Sequence, residues 1–93
     1  MPRGTRRKPK FLPTKLRKIR EALGLSQDGI IERLGLANYM SRGKISDFER
    51  GVREPDLLTL KAYADEAGVS VDYLIDDNVR LPERLPGTKQ TGN

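Results

Sequence analysis

Four glycines, at positions 24, 35, 51 and 68, each follow a short segment whose apolar residues repeat at helical spacing. Glycine just past the last apolar residue of such a stripe suits the left-handed end of a helix, because it carries no Cβ to clash there. This punctuation limits every helix to a few turns. Short helices at this spacing predict an all-α, non-bundle domain around one core.

The first predicted helix spans about Lys15 to Leu23, with Leu16, Ile19 and Leu23 on one stripe, Thr14 as N-cap and Gly24 beyond its end. The second starts at Ser26, an N-cap residue, and ends at Gly35, with Ile30, Ile31 and Leu34 apolar. Gly29 inside it costs about 1 kcal/mol relative to Ala and forfeits the acid or amide that would complete a capping box with Ser26. The third contains Ile45 and Phe48 and ends at Gly51. Its start is either Ser41 or, one turn earlier, Asn38. Ser41 is preferred, because Gly43 then falls in a first turn, where it costs less. Pro55 keeps Glu54 out of the helical region, so Val52 to Pro55 is a turn. Asp56 caps the fourth helix, Leu57 to Ala67, with Leu57, Leu60, Ala64 and Ala67 apolar and Leu58 and Tyr63 alongside. Ser70 caps a short fifth, Val71 to Ile75.

The 93 residues suffice for one small domain. Residues 1–13 hold three prolines among basic side chains and predict a flexible basic arm, with Phe11 and Leu12 tacking its end to the domain. Residues 14–75 form the domain, and 76–93 an extended tail. There is no cysteine and no histidine. Disulfides, thiolate metal sites and a thiol nucleophile are therefore excluded, along with the commonest general base. Carboxylates alone could still hold Mg²⁺, but the composition argues against an enzyme, and no cofactor, metal or small-molecule substrate is expected. No apolar run approaches a membrane span, and no secretory signal follows the N-terminal charges, so a cytoplasmic, nucleoid-associated protein is expected.

Charge is graded along the chain. Residues 1–20 carry nine basic side chains and no acid, residues 21–53 five of each, and residues 54–93 four basics against eight acids. A basic end on an otherwise acidic domain suggests a polyanion partner at one face, the alternative being a solvated tail.

The sequence resembles the lambda-repressor-like helix-turn-helix domains of the Xre/Cro type. The resemblance rests on Leu16, Ile19 and Arg20; Gly24-Leu25-Ser26-Gln27; Leu34-Gly35; Ile45-Ser46; Glu49-Arg50-Gly51; Arg53 and Pro55; then Leu60, Ala64, Gly68-Val69-Ser70 and Leu74. It covers about residues 14–75 and implies a compact five-helix DNA-binding domain, usually a dimeric regulator of transcription. The sequence departs from the family in three ways. Gly35 to Ile45 is four residues longer than usual, Ile31 stands where Ala is favoured, and Ala67 where Leu is usual. A longer turn that lets the second and third helices separate would leave room for Ile31, which should then be buried.

By resemblance, the third helix, about 41–50, enters the major groove and turns Arg42, Gly43, Lys44, Ser46 and Asp47 toward base edges. Arg42 can pair bidentately with guanine, and Lys44 can reach the same acceptors or a phosphate. Asp47 can accept from cytosine or orient Arg50. Gly43 would allow close backbone approach. Ser26 and Gln27, at a helix N-terminus, suit a phosphate, although Ser26 serves first as a cap. Arg50 and Arg53 are natural phosphate contacts. Asn38 and Tyr39, in the insertion Ala37 to Met40, could reach DNA; alternatively Tyr39 and Met40 pack under the turn, which is favoured for Met40. Arg20 and Glu49 should form a partly buried ion pair that fixes the recognition helix. In the arm, Arg3, Arg6, Arg7, Lys8 and Lys10 could enter the minor groove or follow the backbone. Homodimerisation is expected through Tyr73, Leu74 and Ile75. The competing reading is an antitoxin-like or adaptor module that binds a protein partner through Asp72, Asp76, Asp77, Val79, Leu81 and Leu85.

Overall fold

A computed structural model describes residues 7–88 of the chain. Five α-helices follow in order: α1 Leu12–Ala22, α2 Gln27–Arg33, α3 Arg42–Arg50, α4 Leu57–Ala67 and α5 Asp72–Ile75. A single 3₁₀ turn, Pro86–Thr88, comes after them. α1 is central: it packs on α3, α4 and α5, while α2 packs on α3. The core joins Leu12, Leu16 and Ile19 of α1 to Ile30 and Ile31 of α2, Ile45 and Phe48 of α3, Leu60, Tyr63, Ala64 and Ala67 of α4, and Leu74 of α5.

The helix ends follow local chemistry where the partner is close in sequence. Gly24, Gly35, Gly51 and Gly68 all take positive φ, between 73° and 79°. The Ser26 hydroxyl accepts the Gly29 N–H at 2.9 Å, and the Asp56 carboxylate accepts that of Thr59 at 2.8 Å. α3 begins at Arg42 with Ser41 as its N-cap residue, so the earlier start at Asn38 does not occur. Ser41 makes no side-chain capping bond. Asn38 instead lies in a turn in which the Tyr39 N–H donates to the Leu36 carbonyl.

Several expectations are corrected. α1 starts at Leu12 and not at Lys15, with Pro13 in its first turn and Phe11 at the cap position, so Thr14 is not its cap. Proline fits there because first-turn N–H groups have no helical partner. Leu57 and Leu58 are 79% and 81% exposed and take no part in the core; Tyr63 and Thr59 are buried in α4 instead. α5 starts one residue later than predicted, behind Val71, and the Ser70 side chain does not cap it.

The largest correction concerns the tail. Residues 76–88 fold back onto the domain. Leu85 is buried in the core, and the 3₁₀ turn packs on α4. The fit is backbone on backbone: a Cβ on Gly87 would collide with the Glu66 carbonyl oxygen, and one on Gly68 would lie 2.5 Å from the Gly87 nitrogen. The Lys15 ammonium lies below this segment, buried, and donates to the carbonyls of Tyr73, Asp76 and Val79 at 2.8, 3.0 and 2.7 Å. Three donors meet three acceptors, so the buried charge is fully hydrogen-bonded. Lys15 thereby satisfies the Tyr73 carbonyl of α5 and joins it to the Asp76 and Val79 carbonyls of the turn that follows.

Candidate nucleic-acid interface

α3 is held from behind. Ile45 and Phe48 place one face in the core, and the C-terminus is fixed by Glu49. The Arg20 guanidinium grips Glu49 with two bonds, Nε to Oε2 at 2.6 Å and Nη2 to Oε1 at 3.0 Å. Its Nη1 donates to the Leu25 carbonyl at 2.9 Å. The two side chains are only 14% and 6% exposed. One residue therefore ties α1, the α1–α2 turn and α3 together. Donating to the Glu49 carboxylate raises the Arg20 pKa further, against the opposing effect of burial. Gln27 joins the cluster through an Nε2 donation to Glu49 Oε1 at 3.3 Å. Its amide is thus committed inward, which the phosphate-contact assignment did not anticipate.

Tyr63 lies in the same neighbourhood, fully buried, and among the described residues its hydroxyl has no hydrogen-bond partner. Burial pushes its phenol well above the usual range, and the Glu49 charge adds to this while Arg20 opposes it.

The outward face of α3 carries Arg42 and Gly43, both exposed, and half-buried Lys44, Ser46 and Asp47. Arg42 makes only a loose approach to Asp28, at 3.8 Å. Lys44 makes no ion pair among the described residues, and its charge contributes slightly to lowering the Asp56 pKa, an effect due first to hydrogen bonds from Thr59. A Cβ on Gly43 would meet only the Ser41 hydroxyl, at 3.6 Å, so the space beside it is open. Asp47 is engaged: its carboxylate accepts from Arg50 at 2.7 Å and lies 3.7 Å from Arg53. Of its two expected roles, orienting Arg50 is the one present here.

Tyr39 stands out into solvent, 76% exposed, and Asn38 is exposed beside it, whereas Met40 packs against the core. The insertion therefore divides, Met40 inward and Tyr39 outward. Ile31 is buried, packed in the core with Ile30. Arg7, Lys8 and Lys10 are exposed; Arg3 and Arg6 lie outside the described residues. Lys8 and Pro9 line a small crevice with Phe48, Gly51 and Arg53, so the arm passes beside the C-terminal end of α3.

Leu74 is fully buried, which removes it from any dimer contact, while Ile75 is exposed and Tyr73 half-buried. Of the side chains offered for a protein partner, Leu85 is buried, Val79 and Leu81 are half-buried, and Asp77 caps the approach to α1. Among the described residues no acidic group gathers at metal-ligating spacing, and no helix is long and apolar enough to cross a membrane.

Sequence reasoning missed Lys15 and Gly87, and offered Asp77 only for a protein partner and not as the acceptor for the Lys10 and Phe11 N–H groups. Lys15 gave a signal: it falls on the stripe Leu12, Leu16, Ile19, where a charge needs partners. Asp77 and Gly87 gave none, because their partners are distant in sequence. A family model described as helix-turn-helix matches residues 16–74. No curated protein and no solved structure matches.

Proposed function

The chain belongs to the helix-turn-helix family and contains a DNA-binding domain of that type; from this premise we propose that it is a sequence-specific regulator of transcription. α3 lies in the major groove, with Arg42, Gly43, Lys44 and Ser46 facing base edges. Arg50, Arg53 and the arm residues Arg7, Lys8 and Lys10 meet phosphates. Ser26, Gln27, Asn38 and Tyr39 flank the same face, with Gln27 acting chiefly through its hold on Glu49. The observation that carries this reading is the geometry of α3. Its rear is fixed by Ile45, Phe48 and the Arg20–Glu49 pair, and its N-terminal half offers two cations without a close ion pair. A rigid helix with uncommitted donors at its tip is what direct readout needs.

No cofactor enters this reading. The protein acts as a homodimer, with Ile75 and Tyr73 at the contact. Selection of bound sequences from a random duplex library tests both parts: the expected product is a palindrome whose half-sites are about one helical turn apart. Arg42→Ala should relax preference at one base pair by roughly 1–3 kcal/mol. Equal affinity for selected and random duplex would instead favour an adaptor that binds protein. Exposed Leu57 and Leu58 supply the apolar surface for that second reading.

A further inference from the structure

The basic arm is fastened to the domain by a side chain from the other end of the chain. The backbone N–H groups of Lys10 and Phe11 donate to the two carboxylate oxygens of Asp77, at 2.9 and 3.1 Å. Asp77 is itself carried on a fixed turn. The Val79 N–H donates to the Asp76 carbonyl, the Asn78 N–H to the Asp76 carboxylate, and Lys15 holds the carbonyls of Asp76 and Val79. Immediately before the fastened residues, Lys8 and Pro9 lie against Gly51 and Arg53. The root of the arm is thus set by Asp77, and its course runs along the end of α3 that carries Arg50 and Arg53.

We propose that Asp77 is a positioning residue for DNA binding: it holds the root of the arm so that Arg7 and Lys8 reach the phosphates beside Arg50 and Arg53. The inference rests on the DNA-binding reading above. The physical reason is tethering. A cation on a chain acts at an effective concentration set by where the tether starts, and fixing the root removes part of the ordering cost of binding. Asp77 is exposed and is not among the core residues, so its loss opens no cavity in the core. Its two acceptors are used by backbone donors, so a carboxylate near DNA is occupied by N–H groups there.

Two measurements test this. The chain has no cysteine, so Lys8→Cys accepts one spin label. In the otherwise unaltered protein the label should broaden the amide signals of Gly51 to Arg53, and Asp77→Ala should abolish that broadening while the remaining amide spectrum is kept. Second, duplex affinity is followed against salt for the natural chain, for Asp77→Ala, for a chain lacking residues 1–8, and for the combination. Asp77→Ala should weaken binding roughly threefold to tenfold and flatten the salt slope by about one to two, at nearly one per phosphate contact. It should add nothing once the arm is deleted, and Asp77→Asn, which keeps one acceptor, should fall between. Broadening that survives Asp77→Ala, or an Asp77→Ala effect undiminished in the arm-deleted chain, overturns the proposal. If the natural chain shows no salt-dependent duplex binding, the DNA reading fails, and the label measurement alone decides whether Asp77 orients the arm.

Discussion

At the scale of single residues, Arg20 and Glu49 show how a surface function depends on a buried contact. Neither side chain is on the outward face of α3, yet their bidentate pair fixes the helix that carries Arg42 and Lys44. Glu49 is 6% exposed, so removing Arg20 strands a charge that cannot easily hydrate. Arg20→Met should cost about 3–5 kcal/mol in chemical denaturation, with weaker DNA binding. Combining it with Glu49→Leu should recover much of the stability. Unchanged stability and binding in Arg20→Met would show that the pair holds nothing. Both residues were legible in the sequence, because the family pattern places them together. The third member, Gln27, was not, because an amide at a helix start suits a phosphate and a neighbouring carboxylate equally well.

At the scale of helices, legibility follows the reach of the chemistry. Gly24, Gly35, Gly51 and Gly68 were readable because a left-handed end is decided by the residue itself, and Ser26 and Asp56 because each caps an N–H three residues on. The start of α1 was not readable, because the acceptor for the N–H groups before it is Asp77, at the far end of the domain. Leu57 misled for a related reason: its spacing to Leu60 is helical, but the first turn of α4 extends beyond the core. The two acidic caps make a pH prediction. Hydrogen bonds from Thr59 hold the Asp56 carboxyl below its ordinary value of 3.8, and those from Lys10 and Phe11 hold Asp77 below it too. A lowered folded pKa contributes stability that is present above the ordinary value and is lost as pH falls through the folded one. The denaturation midpoint should therefore decline below the usual carboxylate range, and Asp56→Asn should flatten that decline while retaining a cap. Within α3, Gly43 sits in open space at helical φ. Gly43→Ala should raise stability by about 0.5–1 kcal/mol. If the groove approaches that backbone closely, the same change should weaken DNA binding, so melting temperature and duplex affinity should move in opposite senses.

At the scale of the whole molecule, the segments that flank the five helices, residues 8–11 and 76–88, pack on the domain, and this is what the sequence concealed most completely. Prolines, glycines and charges after Ile75 look like a tail, since no stripe runs through them. Their structure comes from three long-range contacts instead: Leu85 in the core, Lys15 on three carbonyls, and Gly87 on the backbone of Glu66 and Ala67. Of the three only Lys15, a charge on an apolar stripe, leaves a local trace, and that trace does not name its partners. The last contact is the most demanding sterically. A methyl group at Gly87 would overlap the Glu66 carbonyl oxygen, and rigid backbone cannot yield as a flexible side chain would. Gly87→Ala should therefore lift the 3₁₀ turn from α4 and expose Leu85, at a cost of about 2–3 kcal/mol from lost apolar burial. Deleting residues 86–93 should cost less than Gly87→Ala if Leu85 keeps its seat, and about as much if the turn is what holds it there. Hydrogen exchange at the Thr88 amide, which donates to the Leu85 carbonyl at 3.0 Å, reports the lifting directly. Protection at Thr88 as strong in Gly87→Ala as in the natural chain would mean that the turn is not seated through this glycine. Through Lys15 and Asp77 the same segment reaches the arm, so Gly87→Ala should leave the arm's share of DNA affinity intact only if the turn at 76–79 stays fixed without the seat on α4.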